Sequence, residues 1–231
     1  MKKMLVLLTI CLMGVAAQAA VGLIDDFSGD LSGWTSTVIL DANGGGSNTA
    51  AWQISGGVLE LNTTAYDGIE QYAMIKSGVS LGIGEELQVD IAHNGASQDL
   101  GLYVGGTTPV TGTRYDYIAM YGRGGQLFTR GFDDGTEYAL IGNWNSNVYD
   151  KLFIKNIDGA TFEMGWYDGA VRNVLGTRTP TYANAATVVG FYADVRAAGV
   201  LGDVDNIQIV PEPATLVLLG LGGLLLKRRK A

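Results

Sequence analysis

Short apolar stretches separated by glycine, asparagine and aspartate fill the middle of this 231-residue chain, and none of them has a helical period. Residues 86–92 are the clearest example, because Leu87, Val89 and Ile91 alternate with polar or small residues, as in a strand buried on one face. The chain holds 34 glycines and only 4 prolines, which is typical of a protein with many tight turns. This pattern predicts an all-β domain and disfavours a parallel α/β sheet.

Ten or more short strands can be assigned between residues 51 and 210. Several are joined by glycine-rich turns, and Asp158-Gly159 is a dipeptide that favours a type I′ hairpin. Long loops are predicted at 41–49 and 170–186. The predicted strands are Ala51–Ile54, Val58–Asn62, Met74–Ser77, Glu86–Ala92, Leu100–Gly105, Tyr115–Tyr121, Leu127–Phe132, Tyr138–Ile141, Leu152–Ile157, Thr161–Tyr167, Val188–Val195 and Val204–Val210. Their regular spacing, without helices between them, predicts a sandwich or a barrel.

The first 20 residues have the layout of a secretory signal peptide. Lys2 and Lys3 are followed by the apolar residues 4–15 and by Ala-Gln-Ala at 17–19, the small-residue pattern that a signal peptidase cleaves after. Cys11, the only cysteine, lies inside the apolar part. We therefore expect the mature domain to have neither a disulfide nor a thiolate nucleophile.

Residues 211–231 form the second informative end of the sequence. Pro211, Glu212 and Pro213 precede thirteen uncharged residues, 214–226, and then four basic residues, 227–230. As a helix, thirteen residues would span about 20 Å, less than the roughly 30 Å of a hydrocarbon core. The pattern predicts a short transmembrane helix whose basic end stays inside, as a short-lived anchor.

This order of Pro-Glu-Pro, apolar stretch and basic cluster resembles the PEP-CTERM sorting signal. The resemblance implies processing close to Pro211–Pro213 by an exosortase, a membrane-embedded cysteine transpeptidase. It also implies export through the inner membrane to the cell surface or extracellular matrix of a bacterium that makes exopolysaccharide. The expected division is therefore 1–20 signal peptide, 21–210 β-sandwich domain and 211–231 sorting signal.

Four segments of the middle region resemble concanavalin A-like (laminin-G/glucanase-type) jelly rolls. Residues 25–34 are similar to the opening of such domains, residues 52–59 to their first hairpin, and residues 189–192 and 202–207 to their last two strands. The resemblance implies a two-sheet antiparallel jelly-roll sandwich over residues 24–210. It says little about activity, because one fold hosts many functions.

Charge narrows the class of partner. The chain has 15 basic and 23 acidic residues; without Lys2, Lys3, Glu212 and the basic cluster 227–230, residues 21–210 keep 9 basic and 22 acidic residues, a net charge of −13. Such a domain repels nucleic acids. Neutral sugars and cations are the expected partners.

A catalytic pair of carboxylates is not evident. Retaining glycosidases need two carboxylates about 5 Å apart, and the related glucanases place them as Glu-x-Asp-x-x-Glu on one strand face. Glu86, Gln88 and Asp90 share a face, but the middle acid is replaced and no second glutamate follows; Glu163 stands alone. The single histidine, His93, is expected in a turn. We therefore expect that the protein is not an enzyme. The alternative is that it is a polysaccharide hydrolase or lyase of the same fold.

Calcium is the cofactor that the resemblance favours. In jelly rolls the first and last strands lie side by side, which would bring Asp25 or Asp26 near Asp203 or Asp205. Carboxylate and carbonyl oxygens are the ligands that Ca²⁺ prefers. The alternative is that Asp205 caps a strand while the first two aspartates are simply solvated.

Trp144 is the main candidate for a sugar contact. It lies between Asn143 and Asn145 in an amide-rich loop where a tryptophan has no evident packing role. An indole face can stack on a pyranose ring while amides bind its hydroxyls. Further aromatic candidates are Tyr115, Tyr117, Tyr121 and Trp166, although Trp34, Trp52 and Trp166 are expected in the core. A purely adhesive or spacer role without a ligand remains a third interpretation.

Overall fold

The structure, a computed structural model, describes residues 22–43, 51–64, 66–93, 99–145, 148–182 and 185–212. In this part of the chain all regular elements are strands: β1 (Gly22–Asp25), β2 (Trp34–Asp41), β3 (Ala51–Ser55), β4 (Val58–Asn62), β5 (Glu70–Lys76), β6 (Glu86–His93), β7 (Asp99–Gly105), β8 (Tyr117–Arg123), β9 (Gln126–Asp133), β10 (Thr136–Glu137), β11 (Ile141–Asn143), β12 (Lys151–Asn156), β13 (Phe162–Asp168), β14 (Val171–Arg178), β15 (Val188–Val195) and β16 (Val200–Val210). The predicted signal peptide at 1–20, the loop residues 44–49 and the tail from Pro213 onward lie outside the described residues.

The strands form two antiparallel sheets. Sheet A has the order β14-β13-β12-β6-β16-β4-β3, with β1 also paired to β16, and sheet B has the order β10-β9-β8-β7-β15-β5-β2, with β11 paired to β9. The first and last strands lie side by side, as the resemblance implied, since Gly22 pairs with Ile209. This arrangement confirms the predicted all-β jelly-roll sandwich.

The main core lies between the sheets and follows from strand alternation. Leu87 and Val89 of β6 belong to the same buried cluster as Phe191 and Val189 of β15, and all four are fully buried. Trp34, Trp52 and Trp166 pack against this core and are partly buried, as expected. Burying such an apolar layer is the dominant stabilising contribution in a sandwich without disulfides.

A second buried cluster covers the outer face of sheet B. Its members alternate along β8 and β15 with the core residues, so they point away from sheet A. We call this surface the tyrosine face; its aromatic residues, each at most 3% exposed, are Tyr103, Tyr117, Tyr121, Phe128, Phe132 and Tyr192. The rings lie 5.0–6.0 Å apart, centroid to centroid, in stacked or tilted pairs.

Strand direction gives the sandwich two distinct ends. The tail end carries the β5–β6 connection at 77–85, the β12–β13 connection at 157–161 and residues 211–212, because Val210 pairs with Glu86 at the start of β6. The distal end carries the β8–β9 turn at 124–125 and the β13–β14 turn at 169–170. Candidate sites can therefore be placed relative to the point where the tail leaves the domain.

Three predictions about strands were wrong. The predicted loop 170–186 contains β14, and β2 was not predicted at all. The predicted strand at 138–141 is replaced by β10 and β11 on either side of residues 138–140. The Asp158-Gly159 hairpin exists, but only Gly159 has a positive φ, of 89°, so the turn is not type I′.

Within the described residues, no helix has the length and apolar character needed to cross a membrane.

Candidate functional site

Five charged side chains lie across the distal end of the tyrosine face, and we call them the charged row: Asp99, Asp194, Arg123, Arg130 and Arg196. The register places Asp99 of β7 opposite Asp194 of β15, and Asp194 opposite Gln71 of β5. Both aspartates are fully buried. Arg123 donates from Nε to Asp99 Oδ1 at 2.5 Å and from Nη2 to Oδ2 at 2.8 Å, while Gln71 Nε2 donates to Asp194 Oδ2 at 2.9 Å.

Two further arginines offset the negative charge of the buried Asp194. Arg130 Nη1 donates to Asp194 Oδ2 at 3.0 Å, and Arg196 Nη2 donates to the same oxygen at 2.8 Å. Arg130 Nη1 also donates to the hydroxyl of Tyr192 at 2.9 Å, which ties the charged row to the tyrosine face. Two buried carboxylates thus face three guanidinium groups, which offsets the desolvation cost of burying them.

Burial raises the pKa of Asp99 to about 6, and the nearby charge of Asp194 acts in the same direction. The hydrogen bonds from Arg123 lower this pKa but do not outweigh burial. Burial also raises the pKa of the Tyr117 and Tyr192 hydroxyls, which therefore stay protonated. The charge of Asp99 therefore changes in a mildly acidic medium.

Trp144 lies at the edge of the same face. It follows β11, whose Asn143 pairs with Leu127 of β9, and its side chain is 67% exposed. The indole packs edge-on against Phe128, with centroids 4.9 Å apart and an interplanar angle of 74°. Gln126 Nε2 donates to the Trp144 carbonyl at 3.2 Å. The residue predicted to contact sugar is therefore exposed, and its neighbours hold it in place.

Asn143 and Asn145 shape this loop. The Asn145 backbone N–H donates to Asn143 Oδ1 at 3.1 Å, a side-chain-to-backbone bond that closes a tight turn. Asn143 is half-buried and Asn145 is exposed. Their role as hydrogen-bond partners of a ligand stays a prediction.

The other aromatic candidates are distributed differently. Tyr117 and Tyr121 are buried in the tyrosine face, so neither ring is open to solvent. Tyr115 is exposed at the tail end, where its hydroxyl donates to Asp134. Trp166 packs against the core, as expected. Of these aromatic candidates, Trp144 is the one that is both exposed to solvent and close to the charged row.

A second polar cluster lies on the outer face of sheet A. Glu86 and Gln88 share this face as predicted, and Glu86 Oε1 accepts from Gln88 Nε2 at 2.6 Å and from the Tyr167 hydroxyl at 2.8 Å. Arg172 Nη2 donates to Glu86 Oε2 at 2.9 Å and also binds Glu163 at 2.5 Å. Both oxygens of Glu86 are therefore engaged by neighbouring side chains.

The predicted calcium ligands do not converge. Asp25 points toward sheet B, where Lys76 Nζ lies 2.9 Å from its Oδ2 and Trp34 Nε1 donates to the same oxygen at 2.8 Å. Burial raises the pKa of Asp25, but these hydrogen bonds outweigh it and the net pKa is lowered. Asp26 is exposed and accepts from the backbone and hydroxyl of Ser28.

Asp203 and Asp205 lie instead on the outer face of sheet A, with Asp90 and Asp150, around a shallow groove of about 300 Å³. Burial and the nearby Glu60 raise the pKa of Asp203. Across the ranges that the structure describes, no group of three or more His, Cys, Asp or Glu residues is placed to hold a metal ion. His93 ends β6, and its side chain is not among the described ones.

Sequence reasoning missed the charged row. Asp99 immediately precedes a predicted apolar strand and Asp194 lies within another, which is the only signal the sequence carries for them. Their pairing depends on the register between β7 and β15, and that register joins residues 95 positions apart. A carboxylate within or beside a buried strand is nevertheless a useful signal, since such residues are rarely buried unless paired.

Comparison with known proteins identifies the tail and the fold. Residues 210–230 match the family described as the PEP-CTERM protein-sorting motif. No curated protein matches the sequence. Among solved structures, the Ca²⁺-bound VIP36 exoplasmic/lumenal domain is 11% identical, with 82% of this chain and 89% of that chain covered and a TM-score of 0.55.

The Ca²⁺/Man-bound form of the same VIP36 domain is 11% identical, with 81% and 88% of the two chains covered and a TM-score of 0.51. A prokaryotic β-1,3-1,4-glucanase (lichenase) derived from a mouse hindgut metagenome is 12% identical, with 81% and 97% covered and a TM-score of 0.54. At these identities the likeness establishes the fold alone, and it confirms the resemblance to concanavalin A-like jelly rolls. The tail carries the sorting motif that indicates export and exosortase-mediated surface sorting.

Proposed function

We propose that this protein is an exported surface or matrix protein whose β-sandwich binds a neutral glycan, without catalysis, at its distal end. The observation that carries the proposal is Trp144, which is 67% exposed while its indole packs edge-on against Phe128 and its backbone carbonyl accepts from Gln126. Because the ring is already held, stacking a sugar on it costs little conformational entropy. The mannose-bound form of a structural neighbour is in keeping with this function.

The route to the surface rests on the two ends of the chain. The sorting motif at 210–230 supports export and exosortase processing. We infer that residues 1–20 direct secretion and that the apolar residues 214–226 anchor the protein in the membrane until it is processed. Trp144 lies at the distal end, away from the tail, so the anchored protein would present this side chain outward.

The state of the carboxylates supports a non-catalytic role. Glu86 is bound by Arg172, Tyr167 and Gln88, so its oxygens are not free to attack or protonate a substrate. Asp99 and Asp194 are fully buried and paired with arginines. A glycosidase needs at least one carboxyl group that reaches the scissile bond.

One observation favours the alternative, a polysaccharide hydrolase. Asp99 and Asp194 are direct cross-strand neighbours, and the pKa of Asp99 is raised to about 6, as for a general acid paired with a second carboxylate. The lichenase among the structural neighbours fits this alternative. For this pair to act in catalysis, solvent and substrate would have to reach Asp99 and Asp194, which are fully buried.

Glycan-array binding by the surface-released protein, combined with assays of reducing-end release, separates the two functions. We expect Trp144→Ala to lose glycan binding while the melting temperature stays within about 2 °C of the wild type, because an exposed ring adds little to folding. Trp166→Ala is the matched control: its ring packs on the core, so it should lower the melting temperature and leave binding by the folded fraction intact. Turnover that is abolished by Asp99→Asn would instead establish the hydrolase.

A further inference from the structure

The sorting motif begins in contact with the folded domain. β16 ends at Val210, which pairs with Glu86, and Pro211 follows without a linker. Glu212 Oε1 lies 2.6 Å from Lys155 Nζ of β12. The side chain of Glu212 also lies against Gly84, where an added Cβ would come within 3.4 Å of its Cγ and Cδ atoms. The first two motif residues are thus laid on the outer face of sheet A.

The register explains why Lys155 pairs with the motif. On its own sheet, Lys155 lies opposite Glu86 of β6 and Glu163 of β13. Arg172 binds both of these carboxylates, at 2.9 Å and 2.5 Å. The ammonium group of Lys155 therefore pairs with Glu212 rather than with either strand neighbour.

We propose that Lys155 is a positioning residue that holds Glu212 on the domain and thereby slows processing of the sorting motif. This proposal rests on the proposed export and exosortase route. Glu212 is the only charged residue between 211 and 226, so an enzyme that reads the motif by its charge has to engage this carboxylate. The ion pair with Lys155 competes with that binding, so only the fraction of the protein in which the pair is open is processed.

The expected effect is modest because the pair is partly solvated. The side chains of Lys155 and Glu212 are 24% and 43% exposed. Ion pairs of this kind shift an equilibrium by about two- to five-fold. The ion pair between Lys155 and Glu212 therefore slows processing of the sorting motif without preventing it.

Pulse–chase of the full chain in an exosortase-positive host tests the proposal. Lys155→Met should be processed about two- to five-fold faster than the wild type, and Lys155→Arg should keep the wild-type rate. Lys151→Met is the matched control, because Lys151 lies on the same strand face and pairs with Asp90 at 3.1 Å without touching the motif. It should be processed at the wild-type rate, and melting temperatures of all variants exclude a difference in folding.

A zero-length carbodiimide cross-link detects the pair without the enzyme. In the purified full chain, mass spectrometry should find an amide bond between Lys155 and Glu212. Absence of this link, or an unchanged or slower rate for Lys155→Met, overturns the proposal. A wild-type protein that the host never cuts overturns the export route and the positioning role together, whereas equal rates in a processed protein overturn the positioning role alone.

Discussion

Asp99 is a buried carboxyl group whose protonation is coupled to folding. Its pKa is raised from 3.8 to about 6, first by burial and then by Asp194, in spite of two hydrogen bonds from Arg123. The folded protein therefore binds this proton more tightly than the unfolded chain does. Its contribution to stability is full below about pH 4 and is lost as the pH rises through 6.

We expect this residue to lower the free energy of unfolding of the wild type between pH 4 and 7. A shift of about two pH units corresponds to an upper limit of about 3 kcal/mol. Asp99→Asn removes the titrating group, so the difference in stability between variant and wild type should move in favour of the variant as the pH rises. Urea unfolding at half-unit pH steps measures this difference.

Asp158→Asn supplies a comparison of opposite sign. Hydrogen bonds from the backbone of Thr161 and Ala160 lower the pKa of this exposed carboxylate. Its contribution is present above the ordinary pKa of 3.8 and is lost as the pH falls, so its effect is confined to pH values below about 4. A difference between Asp99→Asn and wild type that is flat from pH 4 to 7 would contradict the assigned pKa.

At the level of elements, the centre of sheet B depends on a close approach of strands. Gly190 of β15 lies between Ile75 of β5 and Tyr103 of β7. A Cβ at Gly190 would overlap the carbonyl oxygen of Met74, a backbone atom that cannot move without shifting β5. Glycine is therefore required here by the neighbouring strand rather than by a turn.

Gly190→Ala should destabilise the domain by more than about 2 kcal/mol, since overpacking against backbone costs this much in a sheet. Gly29→Ala is the matched control, because a Cβ at Gly29 meets nothing within 4 Å. Urea midpoints at constant m-value report the two changes. Equal midpoints for both variants would show that β15 and β5 can separate without cost.

Sequence reasoning placed the bounds of a strictly alternating strand well. Strand β6 was predicted to within one residue because Leu87, Val89 and Ile91 face the core. Strand β14 was missed because it is an edge strand, exposed along much of its length, and its pairing shifts register opposite Met164 and Gly165. Without a buried face, no alternation is imposed on such a sequence.

The candidate site was predictable only in part, for a related reason. Trp144 could be found because a tryptophan among amides conflicts with ordinary loop composition. The pairing of Asp99 with Asp194 is set by long-range register, and the meeting of Lys155 with Glu212 depends on Arg172 binding the competing carboxylates. Such contacts follow from the assembled sheet and not from local sequence.

On the scale of the whole molecule, the tail and Trp144 occupy opposite ends of a sandwich. Strand β13 alone, with seven residues at about 3.3 Å each, separates the ends by roughly 23 Å. Only Pro213 stands between Glu212 and the uncharged residues 214–226. If these residues are held in the membrane, the tail end must lie next to the lipid head groups while the distal end faces away.

Two alanines at the ends of β13 test this orientation. Ala160 precedes the strand at the tail end, Ala170 follows it at the distal end, and both are exposed. Each is changed to cysteine in a Cys11→Ala background, since the chain has no other cysteine. In spheroplasts of a host without exosortase, a 5 kDa maleimide polymer should modify Ala170→Cys several-fold faster than Ala160→Cys, because the nearby membrane excludes the polymer from the tail end.

The surface-released protein from an exosortase-positive host should react equally fast at both positions, which controls for intrinsic thiol reactivity. Equal rates in the anchored protein would show that residues 214–226 do not hold the tail end of the sandwich against the membrane.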